Sequence, residues 1–144
     1  MNVLSLFSGI AGLDLGFHAA FPGCRTVAYV ERDRFCQSVL AARMRDGWLD
    51  TAPIWPDITT FDAEPWRGYV DAVVGGFPCQ DLSFAGNRAG IDGERSGLWA
   101  EYARIIRVLR PRVVAVENVP GLLVGGAGRV LCDLAALVFD AEWV

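Results

Sequence analysis

Val3-Leu4-Ser5-Leu6-Phe7 is a short apolar run, and Ser8-Gly9-Ile10-Ala11-Gly12 breaks it before Leu13, Phe17 and Ala20 recur at i, i+4 and i+7. The run suits a buried parallel strand, the glycines a tight turn, and the spacing one face of a helix. A strand that passes through a glycine turn into a helix is the first half of a βαβ unit, and the chain repeats it. Pro22-Gly23 ends the helix, and residues 26–30 read as a second strand. Asp33 can cap a helix carrying Cys36, Val39, Leu40 and Met44 on one side. Residues 46–67 hold three prolines and weak periodicity, so only a short strand near Ile54-Trp55 is expected there.

Residues 70–74 predict a central strand closed by Gly75-Gly76-Phe77-Pro78. Residues 81–96, rich in Gly, Ser, Asp and Asn, read as a long loop, which in a compact domain is usually functional or mobile. Leu98, Tyr102, Ile105 and Leu109 mark a helix that Pro111 terminates. Residues 113–116 are another buried strand, and Val130, Leu134 and Leu137 mark a last helix. A further strand would begin at Glu142-Trp143-Val144. Strands alternating with helices predict an α/β fold, three layers αβα around a mostly parallel sheet. In such sheets ligands bind beyond the carboxyl ends of the strands.

The chain has 144 residues, 53% apolar and 21% charged, which fits one domain and excludes a disordered chain. His18 is the single histidine, so a multi-histidine metal site and most Ser-His-Asp schemes are excluded. Cys24, Cys36, Cys79 and Cys132 form no CxxC pair, which argues against a zinc cluster or a disulfide scaffold. No metal is expected. All 13 basic residues are arginine, and the net charge is −4, unlike a free-standing nucleic-acid binder. Residues 85–112 nonetheless hold six arginines against Asp92, Glu94 and Glu101. No export or membrane signal is visible, and a cytoplasmic protein is expected.

The strand ends carry the candidate chemistry. Gly9 and Gly12 let a ligand approach the backbone, and the helix start offers free amides. Glu31, at the end of the second strand, is placed to accept hydrogen bonds from ribose hydroxyls. The glycine spacing is G-x-x-G-x-x-x-G rather than G-x-G-x-x-G, which favours an adenosine ligand without a pyrophosphate over a dinucleotide. Cys24, Cys36 and Cys132 read as small buried hydrophobes, and His18 as structural. Cys79 differs, flanked by glycines, a proline and a polar stretch, and is a candidate nucleophile. Glu117 follows Val113-Val114-Ala115-Val116, and is expected to be half-buried and to act as the partner acid.

Leu6-Phe7-Ser8-Gly9-Ile10-Ala11-Gly12-Leu13, Gly75-Gly76-Phe77-Pro78-Cys79-Gln80-Asp81-Leu82-Ser83 and Glu117-Asn118-Val119 together resemble the DNA (cytosine-5) methyltransferases, in order and in spacing. Val30-Glu31-Arg32-Asp33 and Asp57-Ile58 look like that family's adenosine contacts, and Arg95-Ser96-Gly97-Leu98-Trp99 resembles the segment after its catalytic loop. The resemblance implies a Rossmann-like S-adenosylmethionine-dependent methyltransferase fold, incomplete at its C-terminus. It implies methyl transfer from S-adenosylmethionine to C5 of cytosine in double-stranded DNA, with the cytosine flipped out of the helix. Cys79 would add to C6 and Glu117 would assist at N3.

The same resemblance assigns Phe7, Gly9, Ile10, Gly12, Glu31, Arg32, Asp57, Ile58, Pro78 and Leu98 to the cofactor, and Gln80, Ser83, Arg88 and Asn118 to DNA. Ala11 departs from the family's usual glycine. The family pattern continues beyond these 144 residues with a target-recognition domain and a segment completing the cofactor pocket. Residues 1–144 are therefore expected to be the N-terminal portion of a catalytic domain, weak in cofactor binding and nearly inactive alone. Three other readings stay open: an RNA cytosine-5 methyltransferase, an inactive or split-enzyme cofactor module completed by a C-terminal polypeptide, and a dinucleotide oxidoreductase. RNA-modifying relatives tend to have Pro-Pro-Cys-Gln where this chain has Phe77-Pro78-Cys79-Gln80.

Overall fold

The computed structural model describes residues 1–78 and 97–142. Within them, β1 (Asn2–Leu6), β2 (Arg25–Val30), β3 (Ile54–Trp55), β4 (Ala72–Gly76) and β5 (Val113–Glu117) form one parallel sheet in the order β3-β2-β1-β4-β5. The order reverses between β1 and β4, which opens a crevice at their carboxyl ends. The helices are α1 (Gly12–Ala20), α2 (Arg34–Arg45), α3 (Gly97–Leu109), α4 (Leu122–Gly125) and α5 (Ala127–Ala136). The predicted alternation is therefore present. The loop expected over 81–96, and Trp143 and Val144 of the expected last strand, lie outside the described residues.

Alternation along each strand sorts the core onto two faces. Val3, Ala72 and Val74 meet Phe17 of α1, while Tyr29 meets Leu40 of α2. On the other face Leu4, Leu6 and Val73 share a larger cluster with Trp99, Tyr102, Ile105 and Ile106 of α3 and Val130 and Leu134 of α5. Asp33 caps α2 as expected, accepting from the Cys36 amide at 2.9 Å. The α3 face is wider than its predicted stripe, because it buries Trp99, Ala103 and Ile106 as well.

Three expectations are corrected. The central strand runs over Ala72–Gly76 rather than 70–74, because Val3 pairs with Ala72 and the ladder continues to Gly76 opposite Glu117. Gly75 and Gly76 are thus strand residues, not the turn. A Cβ on Gly75 would run into the Leu6 carbonyl, and one on Gly76 into the Glu117 carboxylate. On α1 the sheet-facing residues are Asp14 and Phe17, whereas Ala20 is exposed. Asp14 takes an inward position because hydroxyls of β1 and β2 receive it. Finally, Cys24, directly before β2, and Cys36 are only half-buried and Cys132 is exposed; α2 and α5 are turned so that Leu40, Val130 and Leu134 face the core in place of the latter two.

Candidate active site

The turn after β1 holds an unusual backbone. Phe7, Gly9 and Ala11 have φ of 51°, 54° and 68°, in the left-handed region that non-glycine residues enter at a cost of about 1–3 kcal/mol each. Several bonds hold it there. The Ser8 amide donates to the Val30 carbonyl at 3.2 Å, and the Ala11 amide to the Ser8 carbonyl at 2.8 Å. The Gly9 amide donates to Glu31 Oε2 at 2.7 Å. Glu31 Oε1 accepts from the Asp33 amide at 2.7 Å. Both oxygens are thereby aimed, and each keeps a lone pair for a further donor such as a ribose hydroxyl. Glu31 is partly exposed, Ile10 and Gly12 are exposed, and Phe7 is half-buried. The paired amide, the open carboxylate and the apolar flank suit the adenosine and ribose of S-adenosylmethionine.

Residues 57–61 follow β3, the strand that pairs with β2. Asp57 accepts from the Thr59 amide at 2.9 Å and from Thr59 Oγ1 at 2.8 Å. Those bonds hold its carboxyl below the ordinary range, with the Arg32 guanidinium adding to the effect. Arg32 is itself exposed. Ile58 is buried, and its carbonyl and that of Phe61 accept from Arg104 Nη2 at 3.0 and 3.2 Å. Arg104 of α3 thus pins this turn beneath the sheet edge.

The ends of β4 and β5 lie side by side. Glu117 Oε2 rests against the Gly76 Cα, and Asn118 Nδ2 donates to the Phe77 carbonyl at 2.8 Å. Glu117 is exposed, not half-buried as expected, because it ends β5, which is an edge strand of the sheet among the described residues. Asn118 Oδ1 also accepts from the Val119 amide, so its side chain is engaged at both ends. Pro78 is exposed and Leu98 half-buried against the larger core. Cys79, Gln80, Ser83, Arg88 and Arg95 lie outside the described residues.

Stacked rings connect the two halves. Phe7 stacks on Tyr102 (centroids 6.3 Å apart), Tyr102 on Trp99 (5.5 Å), and Trp99 meets Phe77 (5.3 Å). Trp99 Nε1 donates to Asp133 Oδ2 at 2.8 Å, and Tyr102 OH donates to the Ala115 carbonyl at 3.2 Å. The structure thus brings Phe7, Gly9, Glu31 and Glu117 to one end of the sheet, with α3 aromatics as the floor.

A family model for C-5 cytosine-specific DNA methylases matches residues 1–136. The chain belongs to the C-5 cytosine-specific DNA methylase family. Among curated relatives, Type II methyltransferase M.Eco47II of Escherichia coli is 36% identical over 139 residues, covering 96% of this chain and 32% of that protein. Type II methyltransferase M.AquIA of Picosynechococcus is 38% identical over 139 residues, covering 90% of this chain and 53% of that protein. The chain spans about a third to a half of the length of these relatives. In fold it is similar to DNMT2 of Spodoptera frugiperda (TM-score 0.71, 20% identity, 94% of this chain and 41% of the other) and to Dnmt2 of S. pombe (TM-score 0.68, 20% identity).

Sequence reading passed over one group of this C-5 methylase-family chain. Ser5, Ser8, Asp14 and Thr26 are all buried and joined by hydrogen bonds behind the glycine turn. Part of the signal was present: Ser5 lies between Leu4 and Leu6, and Asp14 between Leu13 and Leu15.

Proposed function

We propose that this chain is the N-terminal, cofactor-binding and nucleophile-bearing part of a DNA cytosine-5 methyltransferase. The observation that carries the reading is the Gly9–Glu31 pairing at the mouth of β1 and β2, beside Glu117 at the mouth of β4 and β5. Phe7, Gly9, Ile10, Gly12, Glu31, Arg32, Asp57, Ile58, Pro78 and Leu98 hold S-adenosylmethionine, which supplies an electrophilic methyl on a sulfonium. The thiolate of Cys79 adds to C6 of a flipped cytosine, and the electron pair moves to C5. Glu117 holds N3 and neutralises the charge developing there. Once C5 is methylated, a water molecule takes the C5 proton, the C5–H electron pair restores the C5–C6 double bond, and the C6–S bond breaks with its pair to return the thiolate. A free thiol has a pKa of about 8.5, so the site must favour thiolate. Gln80, Ser83, Arg88 and Asn118 are the candidate DNA contacts, by resemblance to the family. The target base is unreachable within a duplex, which is why flipping is required.

Methylation by this module needs, besides residues 1–144, the target-recognition part that its longer relatives have room for, in the same chain or in a complementary polypeptide, in the manner of a restriction-modification methyltransferase acting in the cytoplasm. Two observations support this: the chain's share of its relatives' length, and the edge position of β5, whose residues 113–116 are only half-buried. The test is covalent trapping on a 5-fluorocytosine duplex with S-adenosylmethionine, with and without the C-terminal portion of a relative. A complex is expected with the complemented chain and not with Cys79→Ala. Equal trapping by Cys79→Ala, or trapping on tRNA in preference to duplex DNA, would overturn the reading.

A further inference from the structure

We propose that Asp14 is a positioning residue for the cofactor loop: through Ser5 and Ser8, its carboxylate holds residues 8–12 in the form that presents the Gly9 amide to Glu31. The proposal rests on the reading that this loop holds S-adenosylmethionine.

Asp14 is 2% exposed, in the first turn of α1 directly after the loop. Ser5 Oγ is 2.8 Å from Asp14 Oδ2 and 2.9 Å from Ser8 Oγ. Ser8 Oγ lies 3.2 Å from the Ser5 carbonyl and 3.4 Å from the Val30 carbonyl. Strand, loop and helix are thus cross-braced at one point. Proton counting gives the brace a direction. A serine has one hydroxyl hydrogen. An ionised Asp14 can only accept, so it claims the Ser5 hydrogen, and Ser8 must then donate, to Ser5 Oγ or to the two carbonyls. Without the carboxylate, Ser5 is free to donate to Ser8, and the order of the Ser8 bonds is no longer fixed. Ser8 immediately precedes Gly9, and its carbonyl receives the Ala11 amide. Its orientation therefore sets the left-handed turn that frees the Gly9 amide for Glu31.

The other side of Asp14 serves a different region. Thr26 Oγ1 reaches Oδ1 at 3.4 Å and contacts His18 Nε2 at 3.0 Å, while the Thr26 amide donates to Asp50. Thr26 pairs with Val3 near the amino end of β2, away from the loop. Cutting that side alters the packing but not the brace, which supplies the control.

The experiment combines titration with S-adenosylmethionine, thermal unfolding and amide hydrogen exchange on the full 144-residue chain. Asp14→Ala is expected to weaken S-adenosylmethionine about tenfold or more and to raise exchange at residues 9–12 relative to β1 and β4, the scale of one charge-assisted hydrogen bond. Asp14→Asn keeps an acceptor for Ser5 and restores most of the affinity. Thr26→Val lowers the unfolding temperature yet leaves affinity within about twofold. If Asp14→Ala does not fold, Ser5→Ala cuts the same link and carries the same expectation. The proposal is overturned if Thr26→Val and Asp14→Ala weaken binding equally, or if exchange in the loop of the Asp14 and Ser5 variants matches wild type. A wild-type chain with no affinity for S-adenosylmethionine overturns the cofactor reading instead, and loop exchange alone then decides the role of Asp14.

Discussion

Ala11 has a φ of 68° and no exposed surface, packed beside Tyr29 and Leu40. A glycine there would relieve about 1–2 kcal/mol of left-handed strain, but would lose about 0.8 kcal/mol of buried methyl and about 0.5–1 kcal/mol of backbone entropy. These nearly cancel. Ala11→Gly is therefore expected to shift stability by less than about 1 kcal/mol, while Ala11→Val, branched at a positive φ, costs more than about 2 kcal/mol. Urea unfolding of the two variants checks both. Asp14 gives a pH prediction. Burial raises its carboxyl above the ordinary range, against weaker lowering effects from Ser5, His18 and Thr26. A folded-state pKa above the unfolded one stabilises the chain below the unfolded value, and that stabilisation is lost as pH rises through the folded pKa. The groups facing it are Ser5, Thr26 and His18, with Asp50 beyond His18. Asp14→Asn removes the titration, so the stability difference should shift in favour of the variant as pH rises from about 4, then level off. Chemical unfolding of both proteins from acid to neutral pH measures it.

Among the elements, β4 carries the two described glycines at which an added Cβ meets a close neighbour. Its Gly75 backs onto the Leu6 carbonyl of β1 and the Tyr102 ring of α3, so a methyl group cannot enter without moving backbone. Gly75→Ala is expected to cost at least about 1–3 kcal/mol, read as a lower urea midpoint with unchanged slope. Helix α3 carries the floor of the site. Ile105 is fully buried within the larger core, and Ile105→Ala should cost about 2–5 kcal/mol in the same assay. These contacts explain which elements could be read in advance. The strand-helix alternation, the Asp33 cap and the Val130–Leu134–Leu137 stripe are local patterns, and each is present in the fold. The extent of β4 was not local. It depends on register with β1 and β5, and Gly75-Gly76 reads as a turn until the Leu6 carbonyl and Glu117 are known to lie against it.

At the scale of the whole molecule, the parallel order β3-β2-β1-β4-β5 gathers residues far apart in sequence at one end of the sheet. Gly9 and Glu31 were each legible as candidates because a glycine turn and a strand-end acid carry their own chemistry, whereas the bond between them depends on how β1 and β2 pair. The exposure of Glu117 was not, since an apolar run preceding an acid says nothing about which strand is outermost. The Asp14 brace was missed for a related reason: an acid between Leu13 and Phe17 looks like a surface residue until hydroxyls from two strands meet it. The net charge of −4 belongs to residues that span about a third to a half of the relatives' length, so it does not by itself oppose a DNA substrate.

The most direct test of the central claim is calorimetric titration of the chain with S-adenosylmethionine, alongside Glu31→Ala and with NAD as competitor. The account predicts weak but measurable binding by wild type, at least about tenfold weaker binding by Glu31→Ala, and no displacement by NAD. Equal affinity in Glu31→Ala, or preferential binding of NAD, would contradict it.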